Sequence, residues 1–81
     1  MKVRVLFFAV TRDLTGLDEA WHTLDGAPTV TDLVRALEET YEGLRGRMAH
    51  VRIARNERFA QPDEALAEGD VIALVPPVAG G

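Results

Sequence analysis

The chain has no cysteine and no serine, and it has only two histidines in 81 residues. The missing cysteines exclude a disulfide framework, a thiolate metal site and a cysteine nucleophile. The missing serines exclude a serine nucleophile. The two imidazoles, His22 and His50, do not have the H-x-x-x-H spacing of a zinc site, so we expect no metal. Any sulfur chemistry would therefore need an atom that is not a cysteine sulfur.

The chain also lacks clustered basic residues and long hydrophobic runs. Its net charge is −4 and its pI is near 5.0, so we expect no nucleic-acid partner, because phosphate binding requires grouped Lys and Arg. The apolar run from Val3 to Val10 is interrupted by Arg4 and is too short for a membrane span or a signal sequence. No G-x-G-x-x-G or Walker-type loop is present, so we expect no nucleotide or other cofactor on this chain. These absences predict a soluble cytoplasmic protein with no membrane partner.

The N-terminal residues 2–10 alternate in hydropathy, as in a half-buried strand. The predicted core-facing positions are Val3, Val5 and Phe7. The opposite positions are Lys2, Arg4, Leu6 and Phe8. An exposed phenylalanine at position 8 would be a surface anchor, unless a bulge or a second cover layer shifts the pattern.

Further elements follow from local signals. Thr11 is a candidate cap of a short helical turn that ends at Gly16, and a weaker strand is predicted from Glu19 to Leu24. Thr29 and Asp32 form a capping box that opens the main helix, whose end is predicted at Gly43. The apolar face of this helix comprises Val30, Leu33, Val34, Leu37, Tyr41 and Leu44. Two later strands are predicted around Ile53 and over residues 71–75, with a turn at residues 55–58 and Phe59 after it.

This order of elements predicts an α+β fold with a mixed sheet of four to five strands and one main helix on one face, the β-grasp architecture. The predicted organisation is one β-grasp domain over residues 1–75, followed by a flexible tail over residues 76–81. The helix can cover only one sheet face. Apolar residues on the other face therefore become a candidate binding surface.

The C-terminal sequence VPPVAGG is the most unusual segment. Pro76 and Pro77 favour an extended exit from the last strand, and the side chains then shrink along Val78 and Ala79 to two glycines. Such a tail can enter a narrow tunnel in another protein, because Gly80 and Gly81 have no Cβ to clash. Its one reactive group is the α-carboxylate of Gly81, which becomes an acceptor for sulfur or an amine once it is adenylated.

Several of these residues together resemble the small, MoaD-like subunit of molybdopterin synthase, a ubiquitin-like sulfur carrier of the MoaD/ThiS group. The resemblance covers essentially the whole chain. Its most specific part is PPVAGG at residues 76–81. The other matching segments are VLFFA at residues 5–9 with Arg12, APTV at 27–30, Asn56 and EGDVIAL at 68–74.

The resemblance implies that Gly81 is adenylated and converted to a thiocarboxylate, with Gly80 as the slender residue behind it. It implies that the sulfur passes to cyclic pyranopterin monophosphate. The implied partners are a MoaE-like large subunit, in a heterotetramer, a MoeB-like adenylating enzyme that uses ATP, and a persulfide donor; the chain alone would not be an enzyme. The implied partner-binding residues are Phe8, Arg12, Phe59, Val75, Pro76, Pro77, Val78 and Ala79.

Three alternatives stay open at this point. The chain could carry sulfur for thiamine, cysteine or tRNA thiolation, where related carriers share the fold and the terminal glycines. It could be a protein modifier that joins Gly81 to a target lysine. It could also be a plain interaction domain with a frayed terminus.

Overall fold

The structure is a computed structural model, and it describes residues 1–77. Its five strands are β1 (Lys2–Phe7), β2 (Glu19–Thr23), β3 (Arg52–Arg55), β4 (Arg58–Phe59) and β5 (Val71–Val75). Its α-helices are α1 (Val10–Thr15) and α2 (Val30–Thr40), and two 3₁₀ turns follow at Glu42–Leu44 and Met48–His50.

The strands form one mixed sheet in the order β2-β1-β5-β3-β4. The central pair, β1 and β5, is parallel, and the other pairs are antiparallel. Along β1 and β5, every second side chain is buried and packs towards α2. The side chains between them point to the opposite face of the sheet, which we call the open face. This arrangement is the ubiquitin-like β-grasp fold, and the predicted fold class is confirmed.

The core lies between the sheet and α2. Phe7, Leu33, Leu37, Ile72 and Leu74 are its largest residues from the strands and the helix, and each is at most 2% exposed. The Thr29 side chain accepts a hydrogen bond from the Asp32 amide, and the Asp32 carboxylate accepts one from the Thr29 amide, which confirms the capping box. These bonds lower the pKa of Asp32. The predicted start of the main helix is therefore correct.

Three predicted boundaries are wrong. The first strand ends at Phe7 instead of continuing to Val10, because Ala9 turns the chain at a positive φ of 50° and α1 begins immediately after it. The main helix ends at Thr40, and Gly43 lies in the following 3₁₀ turn. The second strand ends at Thr23, one residue early.

Thr11 is not the cap of α1, contrary to the prediction. Its buried hydroxyl accepts a hydrogen bond from the Phe8 amide at 3.0 Å and donates one to the Phe8 carbonyl at 2.6 Å. The side chain thus closes the turn between β1 and α1. This turn determines where Phe8 lies.

Candidate functional site

The sheet face opposite α2 carries a row of small and apolar side chains. The strand register aligns Leu6, Ala73, Ala54 and Phe59 across four strands. Arg52 and Val75 are paired one step nearer the C-terminal end of β5. Paired residues in a sheet point to the same face, so Phe59 and Val75 share the open face.

Phe8 lies at the end of the sheet where β5 also ends. Because β1 and β5 are parallel, their C-terminal ends lie at the same edge. Phe8 is 48% exposed, which confirms its predicted outward position. Arg12 follows on α1, where its exposed guanidinium lies 3.7 Å from the Asp18 carboxylate. The turn closed by Thr11 therefore holds Phe8 beside the start of the predicted tail.

Arg52 is a member of this surface that sequence reasoning did not include. Its guanidinium carbon lies 3.8 Å from the centre of the Phe59 ring, a cation–π contact. Phe59 remains 56% exposed. Arg52 is also paired with Val75 on the neighbouring strand, so it contacts one member of this surface and lies beside another. The missing information was the hairpin register, which depends on positive φ at both Asn56 and Glu57.

We call Phe8, Arg52, Phe59 and Val75 the open-face patch. Val75 of this patch is the last residue of β5 and directly precedes Pro76. Val75 is half-buried, Pro76 is buried and Pro77 is exposed. Val78, Ala79, Gly80 and Gly81, which the sequence assigns to partner binding and chemistry, lie outside the described residues. Their roles, and the predicted flexible tail over 76–81, stay predictions.

The two prolines line a cavity of about 340 Å³ at the exit. Its other walls come from α1 and from the segment containing the two 3₁₀ turns, including Val10, Leu14, Leu44, Arg47 and His50. In the structure Leu44 and Met48 are buried, so this segment is packed against the core.

Trp21 is a third exposed aromatic residue, and it also lies on the open face. It is paired with Arg4, and at 61% it is the most exposed of the large hydrophobic residues. Arg4 makes an ion pair with Glu19 of the same face. Trp21 therefore lies towards the β2 edge, away from the open-face patch.

The opposite end of the sheet contains a polar network around Asp70, which is 6% exposed. Its carboxylate accepts hydrogen bonds from Arg55 at 2.6 Å, Asn56 at 2.9 Å and the Ala67 amide at 2.7 Å. Burial alone would raise the pKa of Asp70, but these bonds together lower it. The network joins the β3–β4 turn to the start of β5. It therefore supports the hairpin that carries Phe59.

The two histidines have different environments. His22 Nε2 lies 2.9 Å from the Tyr41 hydroxyl, and burial lowers the pKa of His22 and raises that of Tyr41. His50 is exposed at the cavity. Within residues 1–77, no three His, Asp or Glu side chains lie together as potential metal ligands.

Across the part of the chain that the structure describes, no helix has the length and apolar character needed to cross a membrane.

The sequence matches the model of the ThiS family over residues 5–81. It is 34% identical over 92 residues to small archaeal modifier protein 3 of Haloferax volcanii, with all of both chains covered. It is 36% identical over 84 residues to the molybdopterin synthase sulfur carrier subunit of Chlamydomonas reinhardtii, again with all of both chains covered.

Solved structures show the same fold. The small archaeal modifier protein SAMP1 of Haloferax volcanii superposes with a TM-score of 0.92 at 31% identity, and both chains are fully covered. A chain from the complex of subunits 1 and 2 of the molybdopterin-converting factor of Helicobacter pylori superposes with a TM-score of 0.72 at 30% identity, also with full coverage.

Proposed function

The chain belongs to the ThiS family of sulfur carriers, and from that premise we propose that it is the sulfur-carrier subunit of a molybdopterin synthase. The observation that carries the proposal is that the family match runs to the last residue, Gly81, and so includes the terminal glycine pair. The full-length similarity to a molybdopterin synthase sulfur carrier subunit supports this pathway. The cytoplasmic location stays a prediction.

In this proposal the α-carboxylate of Gly81 attacks the α-phosphorus of ATP on a separate activating enzyme and releases pyrophosphate. A persulfide sulfur then attacks the acyl carbon and displaces AMP, and a second thiol cleaves the sulfur–sulfur bond to leave a thiocarboxylate. The ionised sulfur is the soft nucleophile that a chain without cysteine otherwise lacks. This sulfur is then transferred to cyclic pyranopterin monophosphate. Water supplies the oxygen that replaces it on the acyl carbon, and the Gly81 carboxylate is restored.

The open-face patch supports docking to a large synthase subunit. Phe8 and Val75 lie at the end of the sheet from which the chain leaves, and the exposed Phe59 shares the open face in register with Ala73. Aromatic residues with a neighbouring arginine are the usual centres of binding energy at protein interfaces. A partner that covers this patch would hold the tail at its own active site. The heterotetramer predicted above is part of the proposal, as is the role of Arg12 at the patch edge.

Intact mass spectrometry tests the chemistry. After incubation with the activating enzyme, ATP and a persulfide donor, we expect the mass to rise by the difference between one sulfur and one oxygen atom. Deleting Gly81, or adding one residue after it, should abolish this gain. Asp25→Ala, a change in an exposed loop, is the control and should gain the same mass as the wild type. An unchanged wild-type mass with active enzyme would contradict the proposal.

A reconstituted synthase reaction tests the pathway. The thiocarboxylated chain and the large subunit should convert cyclic pyranopterin monophosphate to molybdopterin, and the Gly81 deletion should not. A carrier that gains sulfur but fails in this reaction would belong to another sulfur pathway.

Protein modification is the second candidate function, favoured by the full-length similarity to two small archaeal modifier proteins. In that case Gly81 would form an isopeptide bond with a lysine of a target protein. Conjugates of higher mass in cell extract that disappear in the Gly81 deletion would support this function. Their absence while sulfur transfer proceeds would leave the carrier role alone.

A further inference from the structure

The cavity at the chain exit has an unusual lining for an acidic protein. Apolar side chains form most of its wall, and two basic side chains, Arg47 and His50, stand at it. Within residues 1–77, no acidic side chain lines the cavity, although the chain has 13 acidic and 9 basic residues. The cavity is therefore locally positive against a net charge of −4.

The two basic side chains have no ion-pair partner within the described residues. The ion pairs there are formed by Arg4, Arg12 and Arg55. Arg47 and His50 are both exposed. Charged groups that have no ion-pair partner among residues 1–77 can pair with an anionic group of a binding partner.

Pro76 and Pro77 form part of the same wall. A side chain that fills the cavity would therefore touch the residues that begin the tail, opposite α1 and the second 3₁₀ turn. At about 340 Å³ the space lies at the lower end of ligand-pocket sizes, enough for one large side chain and its neighbour. Filling it would hold the direction in which the tail leaves the domain.

We propose that this cavity is a second docking site for the large synthase subunit, which inserts an apolar side chain next to a carboxylate that pairs with Arg47 and His50. This inference rests on the proposed function and deepens it. The open-face patch and the cavity meet at the chain exit, where Val75 belongs to the patch and Pro76 and Pro77 line the cavity, so a single partner can contact both. Charge complementarity selects this occupant, because an apolar group alone would cover the Arg47 guanidinium and leave it without an ionic partner.

Charge reversal tests the proposal. The affinity of the full chain for the purified large subunit is measured for the wild type, Arg47→Glu, His50→Glu and the double variant. We expect each single reversal to weaken binding about tenfold and the double variant to weaken it further. Arg35→Glu is the matched control on the exposed side of α2, and it should bind within about twofold of the wild type.

Salt dependence separates a charge contact from a structural effect. Raising the salt concentration should weaken wild-type binding more than it weakens binding of Arg47→Glu, because screening acts on the ion pair that the variant has lost. Equal salt dependence in both proteins would overturn the carboxylate part of the proposal.

A variant that leaves the charges in place tests the cavity itself. Val10 lines the cavity and is 44% exposed, so Val10→Trp should fold and obstruct the space. We expect it to weaken binding at least tenfold, whereas Leu17→Trp, at a position 39% exposed and outside the lining, should not.

The outcomes separate this inference from the function on which it rests. A wild-type chain that does not bind the large subunit refutes the proposed function and the docking site together. Wild-type binding that Arg47→Glu, His50→Glu and Val10→Trp all leave within twofold refutes the docking site only.

Discussion

His22 and Tyr41 form a polar contact on the helix side of the sheet. The Tyr41 ring also meets Phe7 edge to face, with ring centres 5.4 Å apart. Burial lowers the pKa of His22, so the folded chain resists a proton that the unfolded chain accepts. The contact thus couples folding to pH.

We predict that His22 makes stability depend on pH in a definite direction. Burial lowers the pKa of His22 in the folded chain. The contribution of His22 to the free energy of unfolding is therefore fully present above the unfolded pKa of about 6.5, and it is lost as the pH falls from there through the folded pKa. Urea unfolding across this window should show a slope in the wild type that His22→Gln reduces. Thr23→Ala, an exposed change next to His22, should retain the wild-type slope, and a slope unchanged in His22→Gln would contradict the assignment.

Asp70 provides a second test at the level of one side chain. Asp70→Asn places amide hydrogens towards donors and should cost about 1–3 kcal/mol of unfolding free energy. Because the pKa of Asp70 is lowered, its stabilisation is present above the unfolded pKa of about 3.9 and is lost as pH falls through the folded value. The measurement is the unfolding free energy of wild type and variant near neutral pH and in acid. The difference between the two proteins should shrink as the pH falls. Asp63→Asn, an exposed loop change, is the control and should match the wild type.

Among the elements, α1 and the first 3₁₀ turn determine the shape of the exit edge. A Cβ atom at Gly43 would lie 2.6 Å from the Leu14 carbonyl oxygen, so only glycine allows the turn to approach α1 this closely. The same approach shapes one wall of the exit cavity, to which Leu14 contributes. Gly43 is thus a packing residue and not the helix terminator that the sequence suggested.

We predict that Gly43→Ala separates α1 from the 3₁₀ turn. The expected cost is about 1–3 kcal/mol of unfolding free energy, because backbone has to move to relieve the contact. Amide chemical shifts of α1 should move, whereas those of β3 and β4 should not. Thr40→Ala, at the exposed end of α2, should change stability by less than about 0.5 kcal/mol, and an equal loss in both variants would contradict this explanation.

The whole molecule has two unlike faces, and adjacent residues Phe7 and Phe8 separate them. Phe7 is 2% exposed under α2, and Phe8 is 48% exposed on the other side of the chain. These two consecutive phenylalanines therefore have different roles: Phe7 belongs to the core, and Phe8 belongs to the candidate interface.

We predict opposite effects of substitution at these two positions. Phe8→Asp should weaken binding to the large subunit while changing the melting temperature little, because the ring is largely in solvent. Phe7→Ala should cost about 3–5 kcal/mol of unfolding free energy through the cavity it leaves. Calorimetry and binding measurements on both variants check this, and a Phe8→Asp protein with a much lower melting temperature and unchanged affinity would refute it.

Much of the fold was predictable from local signals. The alternation in β1, the capping box at Thr29 and the apolar spacing of α2 each act within a few residues, and each prediction is confirmed. The ends of β1 and α2 were not predictable in this way. Ala9 adopts a positive φ without a glycine signal, and the stop at Thr40 precedes a turn held by tertiary contacts.

The sequence by itself determined the alternating strands, the amphipathic helix, the outward position of Phe8 and the terminal glycines on which the proposed chemistry depends. These features follow from side-chain period and residue type alone. Only the tertiary structure decided that Arg52 joins the open-face patch and that Arg47, His50 and the two prolines meet at one cavity. Their proximity depends on strand register and chain reversal between residues distant in sequence, which no local pattern specifies.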